Sequence, residues 1–186
     1  MAAFQAQYDD LKKQAKQNRV AFNTAMNNTQ RDMDAGRLTI QGAAELRQAA
    51  QREYDAKKQE LRQAYKSLVD AERQTLLRKL QTPPAGTLQS DWRGIAQEVD
   101  RAMFDPNGSL DRLIDRAQAF TDAGLARGIA ARSYQRFLNT GDDITHLAKL
   151  TEVDAQGVAP VFEFESAHGA FRPAEMRLFG PFGGVD

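Results

Sequence analysis

The chain has 186 residues, the length of about one to one-and-a-half ordinary domains. Its 25 basic and 25 acidic side chains cancel, which argues against a dedicated nucleic-acid coat and against a polybasic membrane anchor. With no Cys, disulfides, thiolate nucleophiles and Cys-ligated zinc or iron–sulfur centres are excluded.

The first ten residues, Met1 to Asp10, have no basic and then apolar run, so no secretory signal is expected there. No stretch approaches the roughly 18 apolar residues of a membrane span. The expectation is a soluble, mainly α protein of the cytoplasm or of a particle assembled in it.

Charge divides the chain into three zones. Residues 1–81 carry 15 basic and 10 acidic side chains and 12 Gln. Residues 82–154 carry 8 basic and 11 acidic, and residues 155–186 carry 2 and 4. No repeat at a fixed period is visible.

The first zone reads as a long antiparallel helical hairpin over 1–81. Tyr8, Ala15 and Phe22 fall at heptad position a, and Phe4, Leu11 and Ala25 at d. Asn18 takes a d position, where a buried amide can set the register of a facing helix. Met26 and Met33 shift the stripe, as in a stutter. Gly36 suits a left-handed C′ position, and Thr39 suits an N-cap, with Leu38 before it able to staple onto Ala43. This Gly-x-Leu-Thr turn resembles that of short helical-hairpin modules in bacterial and phage proteins.

The second helix is predicted from Ile40 to Gln81, roughly 60 Å long. Its stripe is Leu46, Ala50, Tyr54, Leu61, Tyr65, Leu68, Leu76 and Leu80. The seam is thin and rich in Ala, so a lone hairpin is marginal. Leu46, Tyr54, Leu61, Tyr65, Leu68 and Leu76 are therefore expected to bury against another copy or another protein, or else within an intramolecular hairpin.

Thr82-Pro83-Pro84-Ala85-Gly86-Thr87 stops the helix and opens a linker over 82–91. A small helical bundle is expected over 92–154. Ser90 or Asp91 caps its first helix, which carries Trp92, Ile95, Val99 and Met103 on one face. Ser109 caps a second, with Leu110, Leu113, Ile114, Ala117 and Phe120 inward. Gly124 breaks it, and Leu125, Ile129 and Phe137 mark a third, ended at Gly141. Asp142 or Asp143 starts a fourth, with Ile144, Leu147 and Leu150.

Residues 155–186 form a Phe-rich C-terminal arm with 5 of the 10 Phe. Val161-Phe162-Glu163-Phe164-Glu165 alternates with period two, the signal of a half-buried strand. A turn at Ser166–Gly169 then returns it as Ala170-Phe171-Arg172, a short β-hairpin. A two-stranded hairpin is not stable alone. Phe162, Phe164, Phe171 and Phe179 are thus expected to dock either on the chain's own helices or on a partner.

Catalytic constellations are sparse. Asp105 to Asp111 has a calcium-loop flavour, but Gly108 falls fourth and Arg116 twelfth, where an EF-hand wants Gly sixth and Glu twelfth. A Pro-containing turn before a Ser N-cap explains the same residues. Asp143-x-x-His146 places a carboxylate and an imidazole on one helix face, yet a metal would also need His168, Glu163, Glu165 or Asp142 to converge. There is no Gly-x-Ser-x-Gly elbow, no Walker A run and no dinucleotide fingerprint. No metal, cofactor, small-molecule substrate or enzymatic activity is expected. Basic clusters at Lys12, Lys13, Lys16 and Arg19, at Lys57, Lys58, Arg62 and Lys66, and at Arg127, Arg132 and Arg136 leave room for a weak electrostatic nucleic-acid contact.

This layout of long hairpin, Pro-Pro hinge, helical body and aromatic arm resembles the small helical head-assembly proteins of tailed bacteriophages, either scaffolding-type or minor head components. The resemblance implies self-association through the long helices and capsid binding through a terminal segment. In scaffolding-type proteins that segment is often a basic helix, whereas this C-terminus is acidic and aromatic, which keeps a virion-resident role open. The expected function is non-enzymatic structural assembly through protein–protein contacts, in the bacterial cytoplasm or the virion. The alternative is a helical nucleic-acid-associated accessory protein.

Overall fold

In the computed structural model, residues 2–105 and 109–169 are described. All regular structure among them is helical. α1 spans Ala2–Asp34 and α2 spans Ile40–Leu80. α3 spans Gln89–Met103, α4 Ser109–Ala119 and α5 Ala123–Thr140. A 3-10 helix over Thr145–Leu150 precedes α6, Val158–His168. The chain divides into two compact units, one running up to Glu72 and the second beginning at Arg73.

The first unit is the antiparallel hairpin of α1 with α2 up to Glu72. Its turn forms as the sequence dictates. Gly36 adopts φ +71°, its N–H reaches the Met33 carbonyl, and the Arg37 N–H reaches Asp32, which closes α1 with a Schellman motif. Thr39 Oγ1 then accepts the Gly42 N–H at 3.0 Å and caps α2. Along the seam Tyr8 packs on Tyr65 at 5.9 Å between ring centroids, and Phe22 on Tyr54 at 4.8 Å. Between them Asn18 Nδ2 donates to the Tyr54 carbonyl at 3.1 Å. The polar seam residue Asn18 thus has its partner, and the three contacts pin the register to sums near 72–76.

The second unit is a helical bundle around α5, which packs against α3, α4, the 3-10 helix and α6. The last turns of α2 supply Leu76 and Leu80 to its core, so the unit boundary falls inside α2 rather than at the proline pair. Leu125, Ile129, Ala130 and Tyr134 of α5 are buried, with Ile114, Ala117, Leu147, Leu150, Val158, Val161 and Phe164 around them. α3 starts two to three residues earlier than Ser90 or Asp91 would place it, with Leu88 at the N-cap and no side-chain cap. Gly124 sits inside the first turn of α5, capped by Asp122 through the Leu125 N–H at 2.9 Å. The break before it falls at Phe120–Thr121 instead, where Thr121 takes φ +51°.

The largest correction concerns the arm. Val161–Glu165 is not a strand but the middle of α6. Val158, Val161, Phe164 and Glu165 recur at steps of three and four and are buried together, while Glu163 is exposed. The apparent period of two came from Phe162 and Phe164 alternating with Glu163 and Glu165. Burial of a helical face against α5 and the 3-10 helix overrides their strand preference. Pro160 lies in the first turn of α6, where it costs no intrahelical bond. The expected return strand at Ala170–Arg172 lies outside the described residues.

Candidate functional site

The polar groups buried in the second unit form two ionic locks and one imidazole contact. In the first lock, Glu165 of α6 has a side chain with 0% relative exposure. Arg73 grips it as a fork, Nε to Oε1 and Nη2 to Oε2, both at 2.9 Å. The Tyr134 hydroxyl donates to Oε1 at 2.7 Å. Burial, and then the neighbouring carboxylate, push the Tyr134 hydroxyl far above its ordinary pKa, so it acts only as a donor. The Arg73 guanidinium also lies 5.3 Å from the Phe137 ring centroid.

In the second lock, Arg127 of α5 pairs with Asp154, Nε to Oδ2 at 2.7 Å and Nη2 to Oδ1 at 2.8 Å. Asp154 Oδ1 also accepts the Gly157 N–H at 3.0 Å, and the Asp154 carbonyl accepts the Val158 N–H at 2.9 Å, which starts α6. Each lock therefore fixes α6 against α5.

The Asp143-x-x-His146 pair does not act as a pair of ligands. Asp143 accepts the Thr145 N–H at 2.9 Å and its hydroxyl at 2.7 Å, just ahead of the 3-10 helix, whose N-cap is Ile144. Its carboxyl is held low, first by the Thr145 hydroxyl and then by that N–H. His146 Nε2 lies 2.8 Å from Ser133 Oγ, and Ser133 is buried within α5. Burial lowers the His146 pKa against the opposing pull of Asp143 and Asp111. The contact joins the buried Ser133 of α5 to a half-buried imidazole. Among the described residues no three His, Asp or Glu side chains converge on a metal position.

A cleft of about 200 Å³ opens beside α3 and α5, lined by Gln81, Trp92, Gly128, Arg132 and Gln135. It is smaller than the ~300 Å³ at which ordinary ligand pockets begin. Its cation, Arg132, is paired with Asp100 at 3.0 Å.

The residues expected to make contacts fall into three groups. Leu61, Tyr65, Leu76 and Phe164 are buried by the chain itself. Tyr54, Leu68 and Phe162 are half-buried, and Leu46 is 49% exposed. Phe171 and Phe179 lie outside the described residues. The large apolar side chains most open to solvent in the second unit are others: Phe104 at 80%, Phe120 at 78% and Leu88 at 66%. Sequence periodicity placed Phe120 inward. It stands instead at the Ccap of α4, one residue past the end of the helix at Ala119.

No helix among the described residues is long and apolar enough to cross a membrane. Comparison with known proteins finds no matching family, no similar curated protein and no similar solved structure.

Proposed function

We propose that this chain is a non-enzymatic structural protein that assembles through protein–protein contacts, with itself or with another structural protein. The observation that carries this reading is the exposure of Phe104, Phe120 and Leu88 on a well-packed helical body. Single exposed apolar residues are ordinary, but aromatic rings this open are the kind of side chain that anchors interfaces. The buried Glu165 and Asp154 support the same reading, because their partners tie helices of the body together. The setting that fits the layout is a phage-like head or virion assembly, with the chain in the bacterial cytoplasm or the particle.

The test is solution mass by light scattering across a concentration series, for the native chain and for Phe104→Ser with Phe120→Ser. A defined oligomer in the native chain that dissociates in the double variant is expected if the partner is a second copy. A native monomer calls for crosslinking within the assembled particle, with the same variant as control. Unchanged crosslinking in the variant overturns the role of these rings.

A further inference from the structure

The antiparallel hairpin brings together two basic clusters that are far apart in sequence. The pairs Tyr8–Tyr65, Asn18–Tyr54 and Phe22–Tyr54 set its register. The same register puts Lys16 level with Lys58 and Lys12 level with Arg62. Stepping about 100° per residue from each seam, Lys12, Lys16 and Arg19 fall on one flank of α1. Lys58, Arg62 and Lys66 fall on the flank of α2 reached in the same rotational sense. In an antiparallel pair those two flanks are one side of the hairpin. The result is a six-cation face, with Asp9 near one end and Asp55 near the other.

Two features distinguish this face from an ordinary solvated surface. First, five of the ten hairpin carboxylates accept from glutamines four residues away, Asp9 and Asp55 beside this face among them. Gln5 donates to Asp9 at 3.1 Å, Gln14 to Asp10 at 2.7 Å, and Gln51 to Asp55 at 2.9 Å. Gln30 with Asp34 and Gln41 with Glu45 repeat the pattern at 2.7 and 3.1 Å. Lys12, Lys16, Lys58 and Lys66 form no ion pair among the described residues. Second, Lys16 with Lys58 and Lys12 with Arg62 stand level as like charges across the seam, an arrangement that costs stability, while Arg19 stands level with Asp55.

The occupant follows from what the face lacks. The rings beside it, Tyr8, Phe22, Tyr54 and Tyr65, are spent in the seam, so among the described residues of the hairpin no ring is left to stack on unpaired bases. The exposed Leu46 falls on the other flank and Val20 on the outer side of α1, so among the described residues no apolar anchor for a membrane or a protein hot spot sits among the cations. Charge without stacking or apolar anchors suits a duplex phosphate backbone, where affinity comes from counterion release alone. We infer that this face of the hairpin binds double-stranded nucleic acid through its phosphates, without sequence preference.

The experiment is fluorescence anisotropy of the full chain with a labelled duplex of about 20 base pairs, from about 50 to 200 mM salt. About four to six phosphate contacts give a slope of log K against log salt of roughly −3.5 to −5.5. Lys16→Glu with Lys58→Glu is expected to weaken binding at least ~10-fold at 50 mM and to make the slope shallower by about 2. Arg52→Glu with Arg37→Glu removes the same net charge away from this face and is expected to change affinity less than ~2-fold. Circular dichroism checks that helicity is kept. If the reversal variant loses helix, Lys16→Gln with Lys58→Gln carries the same readout. Absence of duplex binding at 50 mM, an equal loss in the control pair, or tighter binding of single strands overturns the inference. So does polyglutamate that displaces the duplex at equal charge, which would make the ligand an acidic protein segment. None of these outcomes bears on the oligomeric state tested above.

Discussion

The Glu165 carboxylate and the Arg73 guanidinium meet through two parallel 2.9 Å hydrogen bonds, ninety-two residues apart in sequence, with the carboxylate sealed from solvent. Removing one partner leaves the other charge without its counterion. Arg73→Ala or Glu165→Ala is expected to cost about 3–5 kcal/mol, because the desolvated survivor has no compensation. Tyr134→Phe removes a single donor and is expected to cost about 1–3 kcal/mol. Arg73→Met with Glu165→Met should recover most of the loss. Urea unfolding of the four variants checks the order. A Glu165→Ala cost below that of Tyr134→Phe would show that the fork contributes little.

That lock was the least legible part of the molecule. Glu165 reads as the outward residue of an alternating stretch, and nothing near Arg73 or Tyr134 in sequence points to it. The helical step Val158, Val161, Phe164 was present but competed with a period of two across the same residues. Local signals fared better where geometry is set within one turn. Gly36, Thr39 and Gly141 could be read directly, because a left-handed C′ or an N-cap needs only its own neighbours. The hairpin was legible from its stripe, and Asn18 from its place in it. The common basic face was not, since it depends on the register between two helices and not on either alone. Its glutamine partners were visible only as composition.

Thr121 closes α4 in a Schellman motif. The Asp122 N–H reaches the Ala117 carbonyl at 2.9 Å and the Thr121 N–H reaches Gln118 at 3.2 Å. This places Thr121 at the C′ position with φ +51°, where α1 and α5 use Gly36 and Gly141. A β-branched residue is strained there. Thr121→Gly relieves that strain at a smaller entropic cost, so a gain of about 0.5–1 kcal/mol is expected. Thermal unfolding checks it. An unchanged or lower melting temperature would mean that the Thr121 side chain makes a compensating contact.

Both histidines are shifted in the same direction. Burial lowers the pKa of His146, and burial likewise lowers that of His168 against Glu165. A His with a lowered folded pKa binds fewer protons folded than unfolded at mildly acidic pH. Stability therefore rises with pH through this range. The contribution is fully present above the unfolded value near 6.5 and is lost as pH falls through the folded values. Glu98 and Asp143, held low by Arg116 and Thr145, lose their contributions only at more acidic pH. Urea midpoints between pH 7.5 and 5 are thus expected to fall in the native chain. They should fall less in His146→Gln, which keeps a polar partner for Ser133. An equal fall in both would assign the pH response elsewhere.

Gly128 lets α3 and α5 approach. A Cβ at this position would sit 2.4 Å from Ile95 Cγ2, a methyl on a branched carbon that cannot swing away alone. Helix propensity favours Ala over Gly by about 1 kcal/mol, but overpacking in a well-packed contact typically costs about 1–3 kcal/mol. Gly128→Ala is therefore expected to destabilise despite occupying the interior of a helix. Ile95→Ala opens the space, so in the double variant the same substitution should become neutral or favourable. The coupling between the two sites, read from a double-mutant cycle in urea, is the deciding quantity. Additive effects would mean that the helices part by a few tenths of an ångström and that the close approach is not what Gly128 serves.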